Sequence, residues 1–108
     1  SLTVLEAGID IGFEIKRFYY IYNVTEKAVR AGHRHRNNKQ ALICVKGSCT
    51  IFVNDGLKKE QFTLDSANKC LILNSADWHT MHDFTPDAIL LVLASEHYDV
   101  DDYIDEEY

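Results

Sequence analysis

The sequence lacks the features that mark several large classes of protein. Its 108 residues include one proline and five glycines and no low-complexity tract, and at 46% hydrophobic residues it is too apolar for a disordered chain. No apolar run approaches the roughly 20 residues of a membrane span. Glu6 and Asp10 interrupt the N-terminus where a signal peptide needs an apolar stretch. We therefore expect a cytoplasmic protein with no membrane partner.

A basic surface is also missing. Lysine and arginine number 11 and aspartate and glutamate 17, for a net charge of −6. Seven of the acids lie between Glu96 and Tyr108, which leaves a near-neutral body followed by an acidic tail. Duplex nucleic acid calls for a basic face, so the composition argues against nucleic acid as a partner.

The cysteines follow neither a disulfide nor a zinc pattern. Cys44, Cys49 and Cys70 are an odd number, lie among apolar residues and include no CxxC pair. The sequence predicts buried thiols in a reducing compartment.

Short runs of β-branched and aromatic residues, separated by turn signals, predict an all-β protein. Eight such runs are predicted as strands: Leu2 to Leu5, Ile15 to Val24, Gln40 to Lys46, Cys49 to Asn54, Glu60 to Leu64, Lys69 to Leu73, Trp78 to Phe84 and Ile89 to Ala94. Eight strands fit a jelly roll, here one domain over residues 1–108. The tail from Ser95 is predicted as a short helix, an extended arm or a solvated terminus, and its three tyrosines favour packing. Because Ser1 starts inside a predicted strand, we expect a short N-terminal piece to be missing or disordered.

The segment Arg30 to Arg36 holds the H-x-H pair His33 and His35. In an extended chain the two side chains share a face. Such pairs usually bind metal, and the spacing to Gln40 resembles the first cupin motif, in which a glutamate completes the ligand set. Gln40 is neutral and a weak ligand, and the neighbouring arginines favour an anion such as phosphate. A histidine pair on an exposed basic edge, without function, is the alternative.

Two further segments can supply functional side chains. In Ile15 to Tyr22, alternation puts Arg17, Tyr19 and Ile21 on one face, and a buried arginine beside a tyrosine needs an anionic partner. Otherwise these are ordinary strand residues, with Arg17 at an edge. In Trp78 to His82 only one histidine can point inward, and the cupin pattern favours His79. We expect His97 to be a surface residue.

Taken together, these segments resemble one family, the cupin-type nucleotide-sugar 3,4-ketoisomerases. The similarity rests on the IKR segment at Ile15 to Val24, on Arg30 to His35, Gln40 to Ser48 and Trp78-His79, and on the tail motif YDxxDYI ending at Ile104. The resemblance implies a homodimeric cupin jelly roll that needs no metal or other cofactor. It also implies dTDP-4-keto-6-deoxyglucose or a similar nucleotide sugar as substrate, for 3-amino-3,6-dideoxy sugars of bacterial surface polysaccharide such as O-antigen.

The resemblance assigns catalysis to His33, His35 and Tyr19 and substrate binding to Arg17, Arg30, Gln40 and His79. A neutral imidazole can remove the proton at C3 beside a 4-ketone, and the enediol then collapses to the 3-ketone. We expect His33 as the base, His35 as the second proton carrier and Tyr19 as the donor to the enediolate oxygen. The rivals are a metal-dependent cupin that uses the three histidines with Gln40, and a non-catalytic sugar-binding cupin.

Overall fold

The computed structural model describes residues 1–108 as nine strands and one turn of 3₁₀ helix at Val100–Asp102. The strands are β1 (Arg17–Tyr22), β2 (Arg30–His35), β3 (Gln40–Lys46), β4 (Cys49–Asn54), β5 (Lys59–Leu64), β6 (Leu71–Leu73), β7 (Trp78–His82), β8 (Ile89–Ala94) and β9 (Tyr103–Ile104). None of its helices could span a bilayer.

The strands form two antiparallel sheets that face each other. One has the order β1-β8-β3-β6 and the other the order β5-β4-β7-β2-β9. Side chains on their inner faces form the core, where Leu42, Ile51, Leu90 and Val92 are fully buried. Burial of each such side chain stabilises the fold by roughly 1.5–3 kcal/mol. The all-β jelly-roll prediction is confirmed.

Seven of the eight predicted runs contain a strand, but Leu2 to Leu5 does not. That segment pairs with no other strand and leaves Leu2 87% exposed, so a β-prone composition was insufficient without a hydrogen-bonding neighbour. Two strands lie outside the predicted runs. Strand β2 contains Ala31 and Gly32 and has few strand-forming residues, and β9 spans only two residues.

The acidic tail folds onto the body. Asp99 caps the 3₁₀ turn by accepting a hydrogen bond from the Asp101 backbone, and β9 then pairs with β2 through Arg34 and His35. The tail is therefore both a short helix and an extended arm, and the alternative of a solvated terminus is wrong.

The cysteine prediction holds for two residues of three. Cys44 and Cys49 are buried and unpaired, whereas Cys70 is exposed. Cys70 directly precedes β6, an edge strand of three residues, where few neighbouring side chains can cover it.

Candidate active site

Three histidine side chains meet on the inner face of the five-stranded sheet. His33 and His35 come from β2, and His79 comes from β7 directly opposite His33. The ring centroid of His33 lies 5.0 Å from that of His35 and 5.2 Å from that of His79. A β-bulge precedes the pair, with left-handed φ angles of 67° at Ala31 and 81° at Gly32. Beyond the bulge, alternation places both β2 histidines on one face, the arrangement that the H-x-H spacing predicts.

Strand β1 forms the opposite wall of a cavity of about 480 Å³. Its inward side chains are those of the face that carries Arg17, while the other face is exposed. Apart from Tyr20 and Tyr22, which belong to the exposed face of β1, the lining residues with polar side chains are Arg17, Tyr19, Arg30, His33, Tyr98 and Tyr103. The buried Nε of Arg17 has no hydrogen-bond partner, and its guanidinium faces the rings of Tyr19 and Tyr98 at 5.4 and 5.9 Å. An arginine without an acidic partner suits an anionic ligand.

Tyr19 is arranged to donate a hydrogen bond into this cavity. Gln40 Nε2 donates to the Tyr19 hydroxyl oxygen at 2.9 Å. Burial, followed by the nearby Tyr103, raises the pKa of Tyr19 above its ordinary value of 10.0, so the hydroxyl stays protonated at neutral pH. Because the oxygen already accepts from Gln40, the hydroxyl proton is available to a ligand.

His35 lies deeper than His33 and has a carboxylate behind it. Asp102 belongs to the 3₁₀ turn, and its Oδ2 lies 2.8 Å from the ring nitrogen Nδ1 of His35. The other ring nitrogen, Nε2, is buried without a partner. A buried polar atom without a partner is unusual. His35 is not itself among the lining residues, but its ring packs against His33 and Tyr103, which are.

The histidines of the cluster are neutral at pH 7. Burial, and then the neighbouring His35, lowers the pKa of His33 to about 4. Burial also lowers the pKa of His79 to about 4, and it lowers the pKa of His35 although Asp102 opposes the change. A neutral imidazole has a free lone pair and can accept a proton.

The acidic tail supplies aromatic side chains that complete the site. The Tyr103 ring lies 4.7 Å from the rings of both His33 and His35. Arg34 hydrogen-bonds to the Glu106 carbonyl and stacks 4.3 Å above Tyr108, so it holds the tail in place.

The expectation that arginines crowd the histidine pair needs correction. Arg34 contacts the tail, and Arg36 hydrogen-bonds to the Asp101 carbonyl. Of the three arginines around the pair, only Arg30 lines the cavity. Arg34 follows alternation to the face opposite the histidines.

The cavity lining does not include three of the predicted site residues. Gln40 and His79 are 2% and 1% exposed and lie behind Tyr19 and His33, and His35 is 4% exposed and packs against His33 and Tyr103. His82 points away, towards Asp83, and His97 is exposed on the tail. Although three histidine rings meet, no group of three or more potential ligands is placed to hold a metal ion.

Three site residues were not predicted. Tyr98, Asp102 and Tyr103 all belong to the YDxxDYI tail, whose tyrosines suggested packing but not against what. Asp102 is the one acid of the tail that is buried, and nothing in the local sequence separates it from its exposed neighbours.

A jelly roll whose cavity is lined by a neutral histidine, a protonated tyrosine and two arginines defines a cupin-type enzyme. The sequence matches the profile of the family "FdtA: WxcM-like, C-terminal" over residues 1–108. It is 42% identical over 104 residues to the TDP-4-oxo-6-deoxy-alpha-D-glucose-3,4-oxoisomerase of Aneurinibacillus thermoaerophilus, covering 96% of this chain and 75% of that one. This protein therefore belongs to the FdtA family and is a nucleotide-sugar 3,4-ketoisomerase.

Solved structures of 3,4-ketoisomerases share the fold of this protein. The 3,4-ketoisomerase QdtA of Thermoanaerobacterium thermosaccharolyticum in complex with TDP is 41% identical, with a TM-score of 0.92, over 97% of this chain and 77% of QdtA. A histidine-to-asparagine variant of QdtA, in complex with TDP-4-keto-6-deoxyglucose, is 40% identical with a TM-score of 0.92, over 97% and 76% of the two chains.

Proposed function

We propose that this enzyme moves the keto group of dTDP-4-keto-6-deoxyglucose from C4 to C3 by histidine-mediated acid–base chemistry. The observation that carries the proposal is a neutral His35 with a carboxylate behind Nδ1 and an unpartnered Nε2, beside a cavity with two arginines. The named activity of the Aneurinibacillus relative and the ligand of the QdtA variant support this substrate.

The arginines bind the diphosphate in this proposal. Arg17 and Arg30 line the same cavity, and the side chain of Arg17 has no carboxylate partner. A planar guanidinium can donate two parallel hydrogen bonds to phosphate oxygens. The sugar then lies towards the histidine cluster, and the phosphates fix its orientation.

The reaction starts with removal of the proton on C3, which the neighbouring 4-ketone acidifies. The electron pair left on C3 forms a C3–C4 double bond, and negative charge develops on O4. Tyr19 donates a hydrogen bond to this oxygen, which stabilises the enediolate. O4 takes up a proton, O3 loses its own, and C4 is protonated as the 3-ketone forms. Atoms and electrons balance without an external oxidant or reductant.

The 2.8 Å contact with Asp102 favours His35 over His33 as the base at C3. Asp102 opposes the loss of basicity that burial causes in His35, whereas the pKa of His33 falls to about 4. A carboxylate behind the imidazole stabilises the positive charge that forms when the base takes up a proton. His33, which lines the cavity, then carries the proton between O3 and O4. This reverses the roles expected from the sequence.

Three further properties belong to the proposal. A 3-ketone is the group that amination needs, so we place the product before a 3-amino-3,6-dideoxy sugar of surface polysaccharide. We propose a homodimer, because edge strand β1 exposes Phe18, Tyr20 and Tyr22 together. We also propose a single domain in the cytoplasm, since the buried Cys44 and Cys49 are unpaired.

The test is isomerisation of dTDP-4-keto-6-deoxyglucose in D₂O, followed by NMR. The native protein should exchange the proton at C3 and form the 3-ketone. His35→Asn should lose both, by about 10² to 10⁴ in rate. His33→Asn should lose isomerisation and retain exchange at C3.

The matched control is His97→Asn, because His97 is exposed on the tail and lies outside the cavity. It should behave like the native protein. Exchange retained by His35→Asn but lost by His33→Asn would return the base to His33. A native protein that binds the sugar nucleotide without exchange would overturn the proposed function.

A further inference from the structure

Asp102 differs from every other acid of the tail. It is 8% exposed, whereas the neighbouring Asp99, Asp101 and Asp105 are exposed. Burial of a carboxylate costs free energy unless hydrogen bonds compensate for the lost water. A buried acid in a segment that is otherwise solvated therefore calls for an explanation.

Both carboxylate oxygens of Asp102 are used. Oδ2 lies 2.8 Å from His35 Nδ1, and Oδ1 accepts from the Asn37 backbone N–H at 2.7 Å. The Asp102 carbonyl also accepts from the Arg36 N–H at 2.8 Å. The side chain is thus held from β2 and from the residues that follow it, with its orientation fixed.

The carboxylate is ionised in this environment. Burial acts to raise the pKa of Asp102, but the hydrogen bonds from the Asn37 backbone and from His35 outweigh it and keep the pKa below its ordinary value. An ionised carboxylate can only accept hydrogen bonds. The proton in the contact with His35 must therefore lie on Nδ1, which leaves the lone pair on Nε2.

The charge around His35 is uneven. The titratable or charged groups that face it are Asp102 from the tail, Arg17 from β1, His33 from β2, His79 from β7 and Tyr103 from β9. Only Asp102 among them carries negative charge at neutral pH. When His35 accepts a proton, Asp102 is therefore the group that stabilises the imidazolium.

We propose that Asp102 is a positioning residue for the isomerase reaction, because it holds His35 in the tautomer whose Nε2 can take the C3 proton. The inference rests on the proposed role of His35 as the base. It makes the acidic tail part of the catalytic apparatus, through a residue that does not touch the substrate.

Asp102→Asn tests this with little change of shape. The side-chain oxygen of an asparagine can still accept from the Asn37 N–H. Its NH₂ group, however, would donate to His35 Nδ1. Nδ1 would then have to be the acceptor, and the ring proton of the neutral imidazole would lie on Nε2. We expect kcat to fall by about 10² to 10⁴, with KM and TDP affinity within about threefold of native. The acidic limb of the kcat/KM pH profile, where the base becomes protonated, should also move to lower pH, because Asp102 raises the pKa of His35.

Asp101→Asn is the matched control. Asp101 lies in the same 3₁₀ turn, and its side chain is exposed. It should leave kcat, KM and the pH profile unchanged. If Asp102 only held the tail in place, Asp102→Asn would raise KM and retain kcat. That result would overturn the proposal.

A measurement on the native protein does not depend on the variant folding. Nitrogen-15 NMR distinguishes the two neutral tautomers, and His35 should carry its proton on Nδ1 at pH 7. A proton on Nε2 would overturn the proposal whatever the variants do. If His35→Asn retains turnover, the proposed base is wrong. If His35→Asn is inactive and Asp102→Asn is fully active, the role of Asp102 alone is wrong.

Discussion

Acid should destabilise the fold through the histidine cluster, and His79 gives the clearest case. The side chain is 1% exposed, and burial lowers its pKa to about 4, against 6.5 in the unfolded chain. Between these values the unfolded chain binds a proton that the folded protein does not. Stability therefore falls as the pH falls, by about 1.4 kcal/mol per pH unit for each such proton. The two pKa values differ by about 2.5 pH units, so the loss of stability that His79 can cause is at most about 3 kcal/mol.

The assay is urea unfolding at pH values from 7.0 to 4.5, with the free energy of unfolding extrapolated to water. The free energy of unfolding of His79→Gln should fall less steeply with decreasing pH than that of the native protein. The difference in slope should correspond to about one proton. The pKa of Asp102 is lowered, so its contribution is lost only at more acid pH and does not enter this window. His97→Gln, which changes an exposed histidine, should follow the native curve. If His79→Gln declines as steeply as the native protein, burial does not hold His79 neutral and the reasoning is refuted.

Three further predictions concern activity. Tyr19→Phe removes the proposed donor to the enediolate and should lower kcat by about 10² to 10³ with KM little changed; a near-native kcat in steady-state assays would contradict this. Arg30→Ala should raise KM and weaken TDP binding in calorimetry while kcat stays within a few fold, because a phosphate contact is lost and the base remains; unchanged TDP affinity would remove Arg30 from the binding site. Activity should persist in chelator, because Gln40 supplies no charge to a cation; loss of turnover that stoichiometric zinc or iron restores would favour the metal-dependent rival.

Strands are predicted well from the sequence where hydrophobic runs end at strong turn signals. The bounds of β3, β4 and β8 are the predicted ones. Strand β2 was harder, because Arg30 to His35 contains glycine, alanine and two arginines and becomes a strand only through its pairing with β7 and β9. Context of this kind is not visible in a local pattern.

For the site, alternation correctly grouped His33 with His35, and Arg17 with Tyr19, because it depends only on neighbours within a strand. It could not reveal Asp102, which meets His35 across 67 residues of chain. It also could not show that Arg34 turns outward to hold the tail, or that Gln40 lies behind Tyr19.

Because the tail docks onto the body and contributes to the site, release of the tail can abolish activity before the protein unfolds. Segments held by few contacts open at lower free energy than the core, and each opening is a separate event from global unfolding. The tail is joined to the body by a short β9 pairing and by exposed hydrogen bonds from Arg34, Arg36 and Trp78, yet it carries Asp102 and Tyr103 into the site. Mild denaturant, or a substitution far from the cavity that loosens the tail, would therefore inactivate molecules in which every strand except β9 is still paired.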